Sequence, residues 1–288
     1  MNNILVTGSS GQLGSEINGL SSDFNYQFFF TCRDDLDIYN EKEVKDFIKT
    51  NNINIIINCA AYTAVDKAET DEVNANKINN ISVKYLAEIA KEQKIKLIHV
   101  STDYVFDGNN YKPYTELDET KPIGIYGKTK FAGEKAMIGI NPSNSIIIRT
   151  SWVYSSFGAN FVKTMLRLGK EKDELGVIFD QIGTPTYARD LAKAILDILP
   201  KINNDKVEIY NYSNEGVSSW FDFAKEIMSM ANLTCKVNHI ETKDYPTPAT
   251  RPHYSVLNKS KIRKEFALDI PYWKDSLEEC LKIIGEKK

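Results

Sequence analysis

Short apolar runs alternate with longer amphipathic segments through the first half of the chain. The runs fall at residues 4–6, 28–30, 53–58, 97–100 and 146–148. They are continuous rather than alternating, which is the pattern of parallel strands buried on both faces. Between these runs, apolar residues recur three or four positions apart, as Val44, Phe47 and Ile48 do, which is the spacing of an amphipathic helix. This βαβα order predicts an α/β fold with a doubly wound parallel sheet over residues 1–150.

The pattern changes after Arg149. An apolar run at 177–179 is followed by a predicted helix over 188–199, a strand near Ile209 and a second helix over 219–230. Prolines then become frequent, which is typical of loop-rich segments. We expect residues 151–288 to form mainly a smaller C-terminal substrate-binding lobe, with some segments returning to the main sheet.

Composition excludes several classes of protein. The 288 residues carry 36 Lys+Arg and 39 Asp+Glu, so no basic surplus is available for nucleic acid or an anionic membrane. No apolar stretch approaches the roughly 20 residues that a bilayer span needs, and the first residues have no signal-peptide pattern. The four cysteines form no CxxC pair, which argues against zinc and a disulfide framework. We expect a cytoplasmic protein.

A glycine-rich turn follows the first predicted strand. Residues 7–14 read TGSSGQLG, with glycine at Gly8, Gly11 and Gly14. Glycines allow a tight turn and a close backbone approach to a pyrophosphate, and the following helix presents unpaired N–H groups. A purely structural turn would look similar. The position between strand and helix favours a dinucleotide site.

The end of the second predicted strand bears on the choice of cofactor. In a dinucleotide site an acidic residue at the end of this strand usually hydrogen-bonds the adenosine ribose. Here the end of the strand has no such residue, and Arg33 lies there instead. A guanidinium can pair with a 2′-phosphate, which favours NADP(H) over NAD(H). Asp34 or Asp35 could still bind an NAD ribose, so NAD(H) stays an alternative.

A tyrosine–lysine pair supplies candidate acid–base chemistry. Of the 15 tyrosines, only Tyr126 has lysine four residues later, at Lys130. These positions share one face of a helix, where an ammonium lowers the pKa of a phenol. Thr102 ends the fourth apolar run, at the edge of the sheet where ligands bind, and its hydroxyl can bond a substrate carbonyl.

These motifs resemble those of the extended short-chain dehydrogenase/reductases and, more narrowly, of the dTDP-4-dehydrorhamnose reductases. The resemblance spans nearly the whole chain. Beyond TGSSGQLG, the shared motifs are NCAAYTAVDKAE from Asn58, STDYVFDG from Ser101, YGKTKFAGE from Tyr126, RTSWVY from Arg149, NFVKTMLRL from Asn160, DQIGTPT from Asp180 and YPTPATRP from Tyr245. The glycine turn and YxxxK belong to the wider superfamily, whereas the later motifs are specific to the reductases.

The resemblance implies NAD(P)H-dependent reduction of the 4-keto group of a nucleotide-linked deoxysugar, most closely dTDP-4-dehydro-L-rhamnose to dTDP-L-rhamnose. It implies Thr102, Tyr126 and Lys130 as the catalytic residues, with the proton coming from Tyr126. The implied cofactor contacts are Gly11, Gln12 and Leu13 at the pyrophosphate, Asp37 and Ile38 near the adenine, and Ala61, Tyr62 and Thr63 along the nicotinamide half. The implied contacts to the sugar nucleotide are Thr102, Asp103, Tyr104, Trp152 and Arg251.

The resemblance also implies Mg²⁺ at a dimer interface built from acidic residues. Glu16 matches one such position, but residues 187–190, which read YARD, do not clearly supply the others. We therefore expect no metal ligands and not that mode of dimerisation. A homodimer of another kind stays open.

Two alternatives remain from the sequence. Another sugar-nucleotide epimerase or dehydratase would share the fold, cofactor and YxxxK, but a 4,6-dehydratase uses an acidic pair after the threonine, and Tyr104 occupies the second of those positions. The other alternative is a non-catalytic regulator that resembles the β subunit of methionine adenosyltransferase and binds a partner enzyme. The intact Thr102, Tyr126 and Lys130 favour an enzyme.

Overall fold

Six parallel strands form the centre of the molecule. The computed structural model describes residues 2–286. Its strands are β1 (Asn3–Thr7), β2 (Gln27–Thr31), β3 (Ile55–Asn58), β4 (Lys96–Thr102), β5 (Ile146–Thr150), β6 (Val153–Tyr154), β7 (Glu174–Ile178), β8 (Ile182–Gly183), β9 (Thr186–Tyr187), β10 (Glu208–Asn211), β11 (Ser218–Ser219) and β12 (Lys236–Ile240). The main sheet has the order β10-β5-β4-β3-β1-β2, which confirms the predicted doubly wound α/β fold.

Helices cover both faces of this sheet. They are α1 (Gln12–Leu20), α2 (Glu41–Thr50), α3 (Val65–Ala68), α4 (Glu72–Asn76), α5 (Ser82–Gln93), α6 (Ile125–Ile140), α7 (Phe161–Glu171), α8 (Ala188–Ile198), α9 (Trp220–Met230), α10 (Ser260–Phe266) and α11 (Trp273–Glu286). A π-helical turn, Lys77–Ile81, joins α4 to α5. In the described residues no helix has the length and apolar character needed to cross a bilayer.

The continuous apolar runs are explained by two cores, one on each side of the sheet. Along β3, Ile55 and Ile57 face the core formed with α1, α8 and α10, whereas Ile56 faces the core formed with α2, α5 and α6. Successive side chains of a strand point to opposite faces, so a strand covered on both sides needs apolar residues at every position.

The topology opens a crevice beside β1. The chain passes from β1 to β2 on one side and later returns to β3 on the other side. Connections that leave in opposite directions separate the loops at the carboxyl ends of neighbouring strands, and ligands bind in the resulting gap. The glycine-rich turn after β1 lies at this point.

The second half of the chain contributes to two regions. Strand β10 pairs with β5 at the edge of the main sheet, and α8 packs against α1. The parallel pair β7–β12 instead packs with α7, α9 and α11 around a separate apolar cluster that includes Tyr154, Phe223 and Trp273. Residues after 150 therefore build both this smaller lobe and one edge of the sheet.

Candidate active site

A cavity of about 820 Å³ lies at the carboxyl ends of the strands, where the topology opens the crevice. It is large enough for a dinucleotide-sized ligand. All the residues predicted to bind the cofactor line it, namely Gly8, Gly11, Gln12, Leu13, Gly14, Arg33, Asp37, Ile38, Ala61, Tyr62, Thr63, Tyr126 and Lys130. The structure therefore brings together positions spread over more than 120 residues of sequence. Their roles in binding stay a prediction.

The glycine turn presents the first helix to this cavity. Gly8 has a φ of +65°, and a Cβ there would lie 2.7 Å from the Ala60 backbone. A Cβ on Gly14 would lie 2.6 Å from the Gly8 carbonyl oxygen, so both positions require glycine. No side chain caps the N-terminus of α1, and its first turn has no acidic residue. The unpaired amides and the positive end of the helix dipole suit a pyrophosphate.

Arg33 lies on the rim of the same cavity, directly after β2. Its side chain is exposed and forms no salt bridge within residues 2–286. Asp35, an alternative ligand for the adenosine ribose, already uses its carboxylate to accept a 2.8 Å hydrogen bond from the Cys32 amide, which closes the turn. The charge at this rim is therefore suited to an anion such as a 2′-phosphate.

Lys130 is buried beneath the cavity on α6. Its Nζ donates a 2.7 Å hydrogen bond to the backbone carbonyl of Val100 on β4. Burial lowers the pKa of Lys130 to about 8, and the neighbouring Glu134 acts in the opposite direction. Glu134 is itself buried and pairs with Arg149 at 2.6 Å, which joins α6 to β5.

Tyr126 lies one turn earlier on the same helix. Burial raises its pKa to about 12, and a hydrogen bond with Thr102 only partly opposes this rise. The expectation that Lys130 lowers this pKa is wrong for the structure. The Lys130 ammonium is bonded to the Val100 carbonyl, and the loss of hydration of a buried phenolate outweighs any attraction between the two side chains.

Three consecutive residues, the last of β4 and the two that follow it, lie beside Tyr126. Thr102 donates a 3.0 Å hydrogen bond to the Asp103 carboxylate and accepts one of 3.2 Å from the Tyr104 amide. The Tyr104 ring contacts the Tyr126 ring edge-on, with centroids 5.4 Å apart. Burial raises the pKa of Asp103 to about 6, against the lowering effect of a bond with Ser255. Thr102, Asp103, Tyr104 and Tyr126 thus form one polar cluster.

The two remaining candidates for the sugar nucleotide lie in different surroundings. Trp152 has a φ of 48° and stacks on Trp220 at 3.7 Å, so its ring is packed on the smaller lobe. Arg251 is ion-paired with Asp66 at 2.7 Å, and its charge lowers the pKa of Tyr104 against the dominant effect of burial. Arg251 therefore lies on the Tyr104 side of the cluster.

Asn79 is a residue that the sequence analysis missed. It is buried in the π-helical turn, where its side chain accepts from the Tyr62 amide at 2.8 Å and donates to the Tyr62 carbonyl at 3.1 Å. It also donates to the Thr129 hydroxyl at 3.2 Å, beside Lys130. Asn79 thereby joins a cavity-lining loop to α6. A polar residue four positions before the apolar Val83 was the available signal.

Glu16 does not have the surroundings of a metal ligand. It is buried, accepts a 2.6 Å hydrogen bond from Ser155 and lies 3.6 Å from the guanidinium of Arg189. A positive charge beside the carboxylate opposes binding of a divalent cation. Within the described part of the chain, no group of three or more His, Cys, Asp or Glu side chains could hold a metal ion.

Comparison with known proteins identifies close relatives. The sequence model of the family described as RmlD substrate binding domain matches residues 1–285. A dTDP-4-dehydrorhamnose reductase of Aggregatibacter actinomycetemcomitans is 42% identical, over 96% of this chain and 98% of its own.

Solved structures agree with this comparison. A dTDP-4-dehydrorhamnose reductase of Clostridium acetobutylicum superposes with a TM-score of 0.93 at 42% identity, over 98% of this chain and 99% of its own. A second, from Bacillus anthracis and in complex with NADP, has a TM-score of 0.92 at 38% identity, over 98% of this chain and 100% of its own. The chain therefore belongs to the dTDP-4-dehydrorhamnose reductase family, a family of oxidoreductases.

Proposed function

We propose that this chain catalyses the NADPH-dependent reduction of dTDP-4-dehydro-L-rhamnose to dTDP-L-rhamnose. The observation that carries the proposal is the meeting of Thr102, Tyr126 and Lys130 at the open end of the sheet, beside a cavity of dinucleotide size. Family membership supports the substrate and the reaction. The composition, poor in cysteine, suits a reducing compartment such as the cytoplasm.

The cavity residues fit NADPH. The uncapped N-terminus of α1 suits its pyrophosphate, and Arg33 suits the 2′-phosphate. Lys130 and the loop from Ala61 to Thr63 are assigned to the nicotinamide half. When bound, the reduced cofactor supplies the hydride for the sugar C4 carbon.

Tyr126 is the assigned proton donor. A pKa of about 12 keeps its hydroxyl protonated at neutral pH, which is the form that can donate to a carbonyl oxygen as it gains negative charge. Thr102 is assigned a second hydrogen bond to that oxygen, for which its hydroxyl hydrogen turns from the Asp103 carboxylate to the substrate. Lys130 lies one helical turn further along α6, lines the same cavity and is assigned a hydrogen bond to the nicotinamide ribose.

The sugar nucleotide is assigned to the side of the cluster formed by Asp103, Tyr104 and Arg251, with Trp152 at the boundary of the smaller lobe. We assign the lobe within residues 151–288 to substrate binding and residues 1–150 to the cofactor. Holding the nucleotide end in this way lowers the entropic cost of orienting the ketone toward Tyr126.

A turnover assay tests this function. Purified protein, NADPH and dTDP-4-dehydro-L-rhamnose are mixed, and the absorbance of the reduced cofactor is followed with wild type and Tyr126→Phe. We expect oxidation of NADPH by the wild type and formation of dTDP-L-rhamnose. Absence of turnover with retained NADPH binding would contradict the proposal and favour a regulatory protein, which co-purification with a partner enzyme would then identify. Formation of an epimerised sugar without net NADPH oxidation, or conversion of added dTDP-glucose to its 4-keto-6-deoxy product, would favour the other alternative.

A further inference from the structure

Asp66 and Arg251 form a bidentate ion pair between segments that are 185 residues apart. Arg251 donates from Nη1 to Asp66 Oδ1 at 3.0 Å and from Nη2 to Asp66 Oδ2 at 2.7 Å. The Arg251 side chain is 23% exposed and the Asp66 side chain 41% exposed. Solvent reaches both side chains and screens their attraction, so the pair adds only modestly to the stability of the fold even with bidentate geometry.

The same carboxylate also fixes the loop that carries Arg251. Asp66 Oδ1 accepts a 3.1 Å hydrogen bond from the Ala249 amide, and Arg251 Nη1 donates to the Ala249 carbonyl at 3.0 Å. Nη1 further donates to the Thr247 hydroxyl, which donates to the Ala249 carbonyl at 2.9 Å. The guanidinium and its loop are therefore held in one arrangement by a single residue outside the loop.

Asp66 stands on a segment that already borders both halves of the candidate site. Helix α3 directly follows the loop from Ala61 to Thr63, which lines the cavity. At its end, Glu69 accepts a 2.9 Å hydrogen bond from the Ile125 amide, at the start of the helix that carries Tyr126. Arg251 is thus fixed relative to the cavity and to Tyr126 as well as within its own loop.

The pairing leaves one edge of the guanidinium open. Arginine has five N–H donors, and Asp66, Thr247 and Ala249 use those of Nη1 and one of Nη2. In the part of the chain that the structure describes, Nε and the second Nη2 hydrogen have no acceptor. This edge presents two parallel donors, the arrangement that matches two oxygens of a phosphate.

We propose that Asp66 is a positioning residue that orients Arg251 so that its Nε–Nη2 edge binds the diphosphate of the nucleotide sugar. The assignment of Arg251 to the substrate rests on the proposed function, whereas the role of Asp66 is new. A group held in its binding arrangement before the ligand arrives loses less conformational entropy on binding. Asp66 therefore strengthens substrate affinity without touching the reacting atoms.

Variants of the full chain test this role. Asp66→Asn keeps the shape and one acceptor but removes the charge. Arg251→Met removes the proposed phosphate ligand, and the double variant combines them. Thr247→Val removes a weaker support of the same guanidinium. Glu171→Gln is the matched control, because it breaks an exposed 2.6 Å ion pair with Arg167 on the surface helix α7. Each is titrated with dTDP and with NADPH and assayed with dTDP-4-dehydro-L-rhamnose, after thermal unfolding confirms that it folds.

We expect Asp66→Asn to raise the Kd for dTDP and the KM for the sugar nucleotide about tenfold, with kcat and NADPH affinity within about twofold. Thr247→Val should give a smaller change in the same direction, and Glu171→Gln none. The double variant should bind dTDP as Arg251→Met does, because Asp66 acts through Arg251.

Unchanged or tighter dTDP binding by Asp66→Asn would overturn the proposal. It would also be overturned if the double variant raised the Kd for dTDP by the product of the two single effects, because Asp66 would then act independently of Arg251. No dTDP binding by the wild type would overturn it as well. A wild type that binds dTDP but does not turn over the sugar would contradict the proposed function, while the dTDP titrations would still decide the role of Asp66.

Discussion

Lys130 Nζ and the Val100 carbonyl are joined by a 2.7 Å hydrogen bond between α6 and the end of β4. This contact fixes the lysine beneath the cavity and removes it from water. A buried ammonium is stabilised less than a hydrated one, which explains why the pKa of Lys130 is lowered to about 8. The same burial makes Lys130 a source of pH-dependent stability.

The free energy of unfolding should rise with pH over the interval in which Lys130 is deprotonated in the folded chain but still protonated in the unfolded chain. Between about 8 and its ordinary pKa of 10.5, the unfolded chain binds more protons at this residue, so the free energy of unfolding rises with pH. The slope from one such group is at most about 1.4 kcal/mol per pH unit. Lys130→Met should lack this contribution, as measured by denaturant unfolding of both proteins across the interval. Equal slopes for the two proteins would contradict the pKa assignment.

Tyr126→Phe tests the proton donor. The substitution removes one oxygen and little volume, so folding and NADPH affinity should survive while kcat falls by about 10²–10⁴-fold. Tyr104→Phe is the control, because its ring lies 5.4 Å from that of Tyr126 and its hydroxyl is not assigned the proton. If Tyr126→Phe keeps most of its kcat with chemistry rate-limiting, and Tyr104→Phe loses it, the donor is Tyr104.

Arg33→Ala tests the preference for NADPH. Loss of a charge-assisted hydrogen bond to the 2′-phosphate should weaken NADPH binding by about 1–3 kcal/mol and leave NADH binding nearly unchanged. Arg33 is exposed, so the fold should not be affected. Both cofactors are titrated against both proteins by calorimetry. Equal losses for the two cofactors would show that Arg33 does not recognise the phosphate.

Asn79→Ala tests the link between the cavity loop and α6. The change leaves the partly buried Tyr62 amide and carbonyl without their partner, which should lower the free energy of unfolding by about 1–3 kcal/mol and weaken NADPH binding. Asn80→Ala is the matched control, since the neighbouring side chain bonds only to Asn76 in the described structure. Similar effects of both substitutions would indicate loss of helix stability rather than loss of the link.

The sequence by itself was sufficient where the signal is local. A strand covered on both faces must be apolar at every position, so β1 and β3 to β5 could be located from residue type alone. A Cβ on Gly8 would lie 2.7 Å from the Ala60 backbone, so the turn tolerates no side chain there, and the glycine spacing can be recognised in the sequence. Tyr126 and Lys130 share a helix, so their relation follows from a spacing of four.

Only the tertiary structure decided the relations that join distant segments. The pairing of Asp66 with Arg251 and the bonds of Asn79 depend on which loops meet at the carboxyl ends of the strands, and no spacing encodes this. The pKa of Tyr126 likewise could not be predicted from its neighbour Lys130. Its direction depends on how much water the packed chain removes from the phenol, and burial is a property of the whole fold.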